Sequence, residues 1–358
     1  NKDYEKGIEF LQNAIDIREE IDDKKRLSKS LNNLGILYHQ LGDYNEASEY
    51  FEKSYEIDKE IGRKIGVGRS LHNLGLLYQN KGELEKSKEF YNKSSEIKSK
   101  IGDKQGISRV ENSLGLLEKE KGEFDKSIKH LNNCIDISKS IEDYYTLSMG
   151  YNNLAEVYIL KGELEKAEKF SKKSLNTARE IDNDVRKSQC FSVYGRILKL
   201  KGNIEESIND HKKGIDIGLK LDYREGTTKN LLNLAESYIA NKNYENAEEQ
   251  LELVDEKGID TPEVRTKRDM IKAIILRETG RLNESEELFA ETIDKTKEIN
   301  KKYREAKLYY ELGILKKKQD ELSKSEEYIK KAIDMSKEMG MELLKEKSDE
   351  LYNQVSIS

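Results

Sequence analysis

The residues best equipped for chemistry in this sequence are few and badly spaced for it. Four histidines, His39, His72, His130 and His211, share no metal-ligand spacing, and Cys134, four residues after His130, completes no ligand set. Cys134 and Cys190 are the two cysteines, and both fall where helical periodicity expects small or buried residues, so packing is their expected role. Gly62, Gly66 and Gly68 in IGRKIGVGR fit neither a phosphate-cradling loop nor a dinucleotide fingerprint, and no strand signal precedes them. Acidic pairs such as Glu19-Glu20 lie on solvated faces, not across a cleft as a general acid and base would. The NKS and NES triplets at Asn92 and Asn283 match a glycosylation pattern but sit inside expected cytosolic helices. No nucleophile, base and orienting group come together, so the expectation is a non-enzymatic protein with no metal and no cofactor.

Composition narrows the class. Charged residues make up 37% of 358, yet Lys+Arg (64) and Asp+Glu (70) nearly cancel to −6. That balance argues against a nucleic-acid partner, which calls for a strongly basic face. A single proline, no tryptophan and long runs of Lys, Glu, Leu and Ile point to an all-α chain. Two cysteines are too few for a disulfide framework, which makes a cytoplasmic location the expectation. No run of ten apolar residues exists, so no membrane span is expected.

The elements that would position any site repeat. Gly42, Gly82, Gly122, Gly162 and Gly202 recur every forty residues; Lys242 takes the next slot, the period slips by two to Gly280, and Asp320 takes the last. Seven residues earlier stand Gly35, Gly75, Gly115, Ala155, Gly195, Ala235, Ala273 and Gly313; five residues later, Ala47, Ser87, Ser127, Ala167, Ser207, Ala247, Ser285 and Ser325. Each unit reads as two helices. Leu31, Leu34, Gly35, Tyr38 and Leu41 make one stripe, and Tyr44, Ala47, Phe51, Ser54, Ile57 and Ile61 make the next. Gly42 suits the left-handed residue past a helix end, and Asp43 is expected to cap the helix that follows. Small residues at the crossing let two axes approach closely, so a large aliphatic at Gly35 or Ala47 should splay the pair.

The order Leu34-Gly35, Tyr38, Ala47, Phe51 resembles the tetratricopeptide repeat pattern L-G-x-x-Y…A-x-x-x-F, with Leu31 where that pattern has Trp. The resemblance spans essentially the whole chain. The family's usual proline is replaced by Lys59 and its counterparts, so the second helix runs on and the period lengthens to forty. This long-period type is similar to the repeats of kinesin light chains, Pins-type polarity adaptors, and bacterial peptide-sensing and MalT-like regulators. The resemblance implies a right-handed α-α superhelix whose first helices line the inner wall. Residues 3–21 are expected to be a half repeat, an opening that suggests a piece of a longer chain; eight helix pairs follow, and 342–354 form a capping helix. The repeat falters at 255–264, where Gly258 and Pro262 predict a shortened helix and a new start capped by Asp260 or Thr261. Residues 1–257 are thus one stretch of solenoid and 258–358 its continuation past an irregular junction, a possible hinge.

On the inner wall so implied, one slot holds Asn33, Asn73, Ser113, Asn153, Val193 and Asn233. Four residues earlier come Lys29, Arg69, Arg109, Met149, Gln189 and Lys229; three residues later, Ile36, Leu76, Leu116, Glu156, Arg196 and Glu236. Asn amides can grip a peptide backbone whatever its side chains, Lys and Arg can pair with carboxylates, and the aliphatics can seat apolar side chains. The arrangement resembles the asparagine ladders by which long-period relatives hold peptides. The groove expected from it comprises Lys29, Asn33, Ile36, Arg69, Asn73, Leu76, Arg109, Leu116, Asn153, Lys229 and Asn233. Its expected partner is a protein or peptide segment, acidic with hydrophobic anchors. The alternative is the sensor module of a larger signalling or transcription regulator that responds to a peptide or a small ligand.

Overall fold

The computed structural model describes Lys2–Ser356; Asn1 and the last two residues lie outside that range. Among the described residues there are eighteen helices and no strand. A single helix, α1 (Lys2–Glu20), comes first. Seven pairs follow at the repeat period: α2 (Lys24–Leu41) with α3 (Tyr44–Glu60), α4 (Lys64–Asn80) with α5 (Leu84–Lys100), α6 (Lys104–Glu120) with α7 (Phe124–Ser140), α8 (Tyr144–Lys161) with α9 (Leu164–Glu180), α10 (Asp184–Leu200) with α11 (Ile204–Lys220), α12 (Arg224–Ala240) with α13 (Tyr244–Lys257), and α14 (Pro262–Glu278) with α15 (Leu282–Glu298). The eighth pair is α16 (Lys302–Lys318) with α17 (Leu322–Met339), and α18 (Glu342–Ser356) caps it. The half repeat, the eight pairs and the final helix all stand where the repeat pattern put them.

The turns explain the closing slot. Gly42 has φ +82°, and its N–H bonds the His39 carbonyl at 3.1 Å while the Asp43 N–H bonds the Tyr38 carbonyl at 2.9 Å. This pair of bonds closes the helix around a left-handed residue and is made again at Gly82 and Gly162. Lys242 (φ +56°) and Asp320 (φ +62°) take the same conformation without the glycine's freedom. The expectation for Asp43 is corrected: its side chain makes no cap bond to α3. At the other turn of the repeat Asp23, Asp143 and Asn183 accept from Arg26, Thr146 and Arg186, and at Asp43's own turn Asn243 accepts from the Asn246 N–H at 3.1 Å. At the junction it is Thr261, not Asp260, that caps α14, accepting from the Val264 N–H at 3.3 Å with Pro262 in the first turn. α13 is shortened to 14 residues against 17 in its neighbours.

Within pairs the small slots do two jobs. A methyl built on Gly35 would lie 2.7 Å from the Phe51 ring, and one on Gly75 2.5 Å from Tyr91, so the helices cross where only hydrogen fits. The serine of the third slot adds a bond across the same crossing: Ser87 donates to the Gly75 carbonyl at 2.7 Å, and Ser285 and Ser325 to those of Ala273 and Gly313 at 2.8 Å.

The chain divides into two compact units. The first runs to Leu117 and includes Asp136–Glu142; the second comprises Glu118–Ile135 and everything from Asp143. In the first, Leu27, Leu31 and Leu34 pack with Ile15, and Ala47 and Phe51 with Leu74 and Leu77. In the second, one cluster joins Phe124, Leu131, Leu147 and Leu154 to Ala306, Met339 and Met341, so its last repeats fold back onto its first. Met339 lies against Gly122 and Leu343 against Gly162 at that closure.

Candidate functional site

First helices of successive pairs pack directly on one another, α2 on α4 and, in the second unit, α8 on α10 and α10 on α12. Bonds between residues 41 apart tie them: the Asn73 amide donates to Asn32 Oδ1 at 3.3 Å, and His72 Nε2 meets Ser113 Oγ at 2.9 Å. Within each unit the candidate residues therefore belong to a layer of first helices. Lys29, Asn33, Ile36, Arg69, Asn73, Leu76, Arg109 and Leu116 are in the first unit, Asn153, Lys229 and Asn233 in the second.

In the first unit Lys29, Asn33 and Arg109 are exposed, while Ile36, Arg69, Asn73, Leu76 and Leu116 are half-buried. Ile36 and Leu76 also pack against the cores between pairs. Lys29 and Arg69 come together on a cavity of about 600 Å³ lined by Lys25, Lys29, Ile61, Arg63, Ile65 and Arg69. Ile61 and Ile65 are 38% and 66% exposed, an apolar lip beside four cations. Arg63 is already neutralised: Nε and Nη2 bond the buried Asp58 carboxylate at 2.6 and 2.8 Å, and Nη2 also reaches Ser28 Oγ. Arg69 is not. Its Nε and Nη2 are shielded from water and have no hydrogen-bond partner among the described residues. Burial, with the repulsion of Arg63, holds its pKa below the usual arginine value. A shielded guanidinium with free donors is costly until an anion arrives. The sequence singled out Lys29 and Arg69 but missed Lys25 and Ile65, which lie four residues before them on the same helical stripe.

In the second unit the layer is dense with charge. Asn153 is half-buried; Lys229 is exposed and pairs with Glu225 at 2.7 Å. Asn233 requires a correction. It is buried, its amide donates to the Ser192 carbonyl and Oγ at 3.1 and 2.8 Å, and its oxygen accepts from Lys267. Both ends of the amide serve the scaffold, tying α12 to α10 and α14, because here the slot lies between helices and does not face outward.

Lys267 and Lys307 continue the cation slot once the two-residue slip is counted, a register the sequence reading did not extend past Lys229. Glu156 accepts from Lys119 at 2.7 Å, and Glu236 from Lys199 at 2.7 Å and Lys307 at 3.0 Å. Burial alone would raise both carboxyls, but the neighbouring cations override it: Glu156 is held down to about 2 and Glu236 well below the carboxylate range. Lys267 goes the other way. Burial, only partly offset by Glu236 and reinforced by Arg196, Lys199 and Lys307, brings it down to about 7.

Other candidates for chemistry resolve into packing. Cys134 and Cys190 form no disulfide and are fully buried, and burial pushes the Cys190 thiol up. His72 and His211 are pushed down to about 3 by burial, so both stay neutral. Among the described residues no group of three or more His, Cys, Asp or Glu could hold a metal ion, and no helix is long and apolar enough to cross a membrane.

A tetratricopeptide repeat profile matches residues 1–60, 66–140 and 146–220, and a second of the same description matches 228–256 and 306–339. No curated protein sequence matches significantly. Among solved structures, the Rap conjugation gene regulator of plasmid pLS20 in complex with the Phr* peptide has TM-score 0.67 at 14% identity, covering 93% of this chain and 95% of that one. The apo quorum sensor NprR from B. thuringiensis has 0.59 at 15%, covering 93% and 99%. Aspartyl phosphate phosphatase F from Bacillus subtilis has 0.59 at 16%, over 70% of this chain and 64% of that one. Identities this low establish a shared helical-repeat fold and nothing finer.

Proposed function

The chain belongs to the tetratricopeptide repeat family, and from that premise we propose that it is a non-enzymatic binding module that captures a peptide segment of a partner protein. The segment is acidic with aliphatic side chains beside the acid, and it docks on the first-helix face of the first unit. The observation that carries this reading is the Arg69 guanidinium, shielded and unpartnered beside Lys25 and Lys29, with Ile61 and Ile65 at the rim. A carboxylate there would complete Arg69's hydrogen bonds, and a neighbouring Leu or Ile would cover the exposed isoleucines. Asn33 and Arg109 stand exposed on the same layer and are available to the backbone and to a further acid. A cytoplasmic site of action fits two cysteines that are not joined in a disulfide.

The competing reading, a sensor module of a larger regulator, draws support from neighbours described as a conjugation regulator bound to a peptide and a quorum sensor. Both readings place a peptide on this layer and differ only in what the capture controls.

Fluorescence anisotropy with a library of labelled peptides, each pairing Asp or Glu with Leu or Ile, tests the docking. Lys29→Gln/Arg69→Gln should weaken capture by about ten- to a hundredfold, the loss expected for one or two charge-assisted bonds. Asn73→Ala/Asn153→Ala should have a smaller effect, because Asn73 is already bonded to Asn32. Equal capture by the parent and the Lys29/Arg69 double variant would remove this site from the proposal.

A further inference from the structure

The second unit holds a charge imbalance that peptide capture at the first does not use. Around Glu236 on α12 stand Lys199 from α10, Lys267 from α14 and Lys307 from α16, and Arg196 on α10 lies close enough to repel both Lys199 and Lys267. Lys199 and Lys307 each bond one oxygen of that carboxylate, and Lys267 bonds Asn233, one turn earlier on the same helix. Arg196 lies 4.0 Å from Glu156, whose other oxygen is taken by Lys119 at 2.7 Å. Five cations therefore share two carboxylates. The adjoining set is balanced by contrast: Lys301 and Arg304 meet Glu263, and Lys301 also meets Glu120. His211 on α11 also feels Lys199 and Lys267, but it is neutral and contributes no charge.

The patch is reachable. The Lys307 and Arg196 side chains are 38% and 26% exposed. We propose that Lys199, Lys267, Lys307 and Arg196 form a receptor for a compact dianion, a phosphate group, which supplies the negative charge that Glu236 alone cannot. A dianion centred on one atom suits cations converging on one carboxylate better than a dicarboxylate, whose charges are spread apart.

A proton accompanies the ion. With the site empty, burial, reinforced by repulsion from Arg196, Lys199 and Lys307 and only partly offset by Glu236, brings Lys267 down to about 7. A bound dianion favours the ammonium form, so between about pH 7 and the ordinary lysine range, near 10.5, binding takes up a proton and weakens as pH rises. The site shares no residue with the cavity of the first unit and does not rest on the peptide reading.

Isothermal titration of the full chain at about pH 8, in two buffers of different ionisation enthalpy, tests it with sodium phosphate, glycerol phosphate and succinate as probes. The expected result is binding of a phosphate probe with uptake of about one proton, and succinate at least about tenfold weaker. Inorganic phosphate alone binding would identify the free ion, and the ester binding as well would identify a phosphate monoester; either supports the site. Lys307→Gln, a partly exposed change, should weaken binding about tenfold or more with circular dichroism unaltered. Lys267→Gln should abolish the proton uptake. If Lys267→Gln does not fold, the parent's proton uptake and the Lys307→Gln affinity decide. No binding of either phosphate probe at about 10 mM, no proton uptake by the parent, succinate as tight as phosphate, or unchanged affinity in Lys307→Gln would each overturn the proposal.

Discussion

Ser87, Ser285 and Ser325 show what one hydroxyl adds to a repeat. Each sits at a helix crossing too tight for a larger side chain and donates to the carbonyl opposite. Alanine fits the same space, as Ala47 and Ala167 demonstrate, so Ser87→Ala should repack without a cavity and lose about 1 kcal/mol, measured by urea denaturation. The carboxylates of the second unit make a pH prediction. Glu156, Glu236 and Glu263 are all held below the ordinary glutamate value of 4.5 in the fold. A depressed carboxyl contributes stability that is complete above its unfolded pKa and is lost as pH falls through its folded one. Stability should therefore fall from about pH 4.5 toward 2, and Glu156→Gln should flatten that fall in acid titrations followed by circular dichroism. Arg69 and Lys267 are harder to see from the chain. Lys29 and Arg69 were legible as a register, but nothing in their spacing says that Arg63 would find Asp58 and Arg69 would find nothing.

At the scale of the helix pair, the repeat pattern carried almost everything. Gly75 stands where a methyl would enter the Tyr91 ring, so Gly75→Val should cost about 1–3 kcal/mol by overpacking and lower the melting temperature of the first unit. Periodicity placed α1, the eight pairs and α18, because an apolar stripe at helical spacing has one way to be buried. It was less sure of caps. Asp43 reads as a cap in the sequence, yet its side chain bonds no N–H of α3, whereas Asp23, Asp143 and Asn183 at the alternate turn, and Asn243 at its own turn two hundred residues on, do cap. The backbone does not separate them, since Asp23 and Asp43 have nearly the same angles (φ −83°, ψ 70° and φ −84°, ψ 76°); what differs is where the carboxylate turns, and periodicity does not report that.

At the scale of the molecule, the second unit's return on itself has a measurable consequence. Met339, on the last pair, fills space beside Gly122, and it is joined there by Met341, Ala306 and Phe124. Met339→Ala should cost about 2–3 kcal/mol and speed amide exchange in the α6–α7 turn as well as in α17. A repeat that touched only its neighbours would confine the effect to α17 and α18.

The sequence by itself determined the helix pairs, their number and their small crossing residues, since all of these follow from spacing within forty residues. Tertiary structure alone decided which side chains of the first helices are exposed and which are tied to the scaffold. Asn233 turned into a tie between helices, Arg69 kept free donors, and Lys267 met Lys307 and Lys199 around one carboxylate. Those outcomes depend on how far successive pairs rotate and on which repeats meet at a distance. Periodicity is blind to both, because every repeat obeys the same local rule whatever its angle to the next.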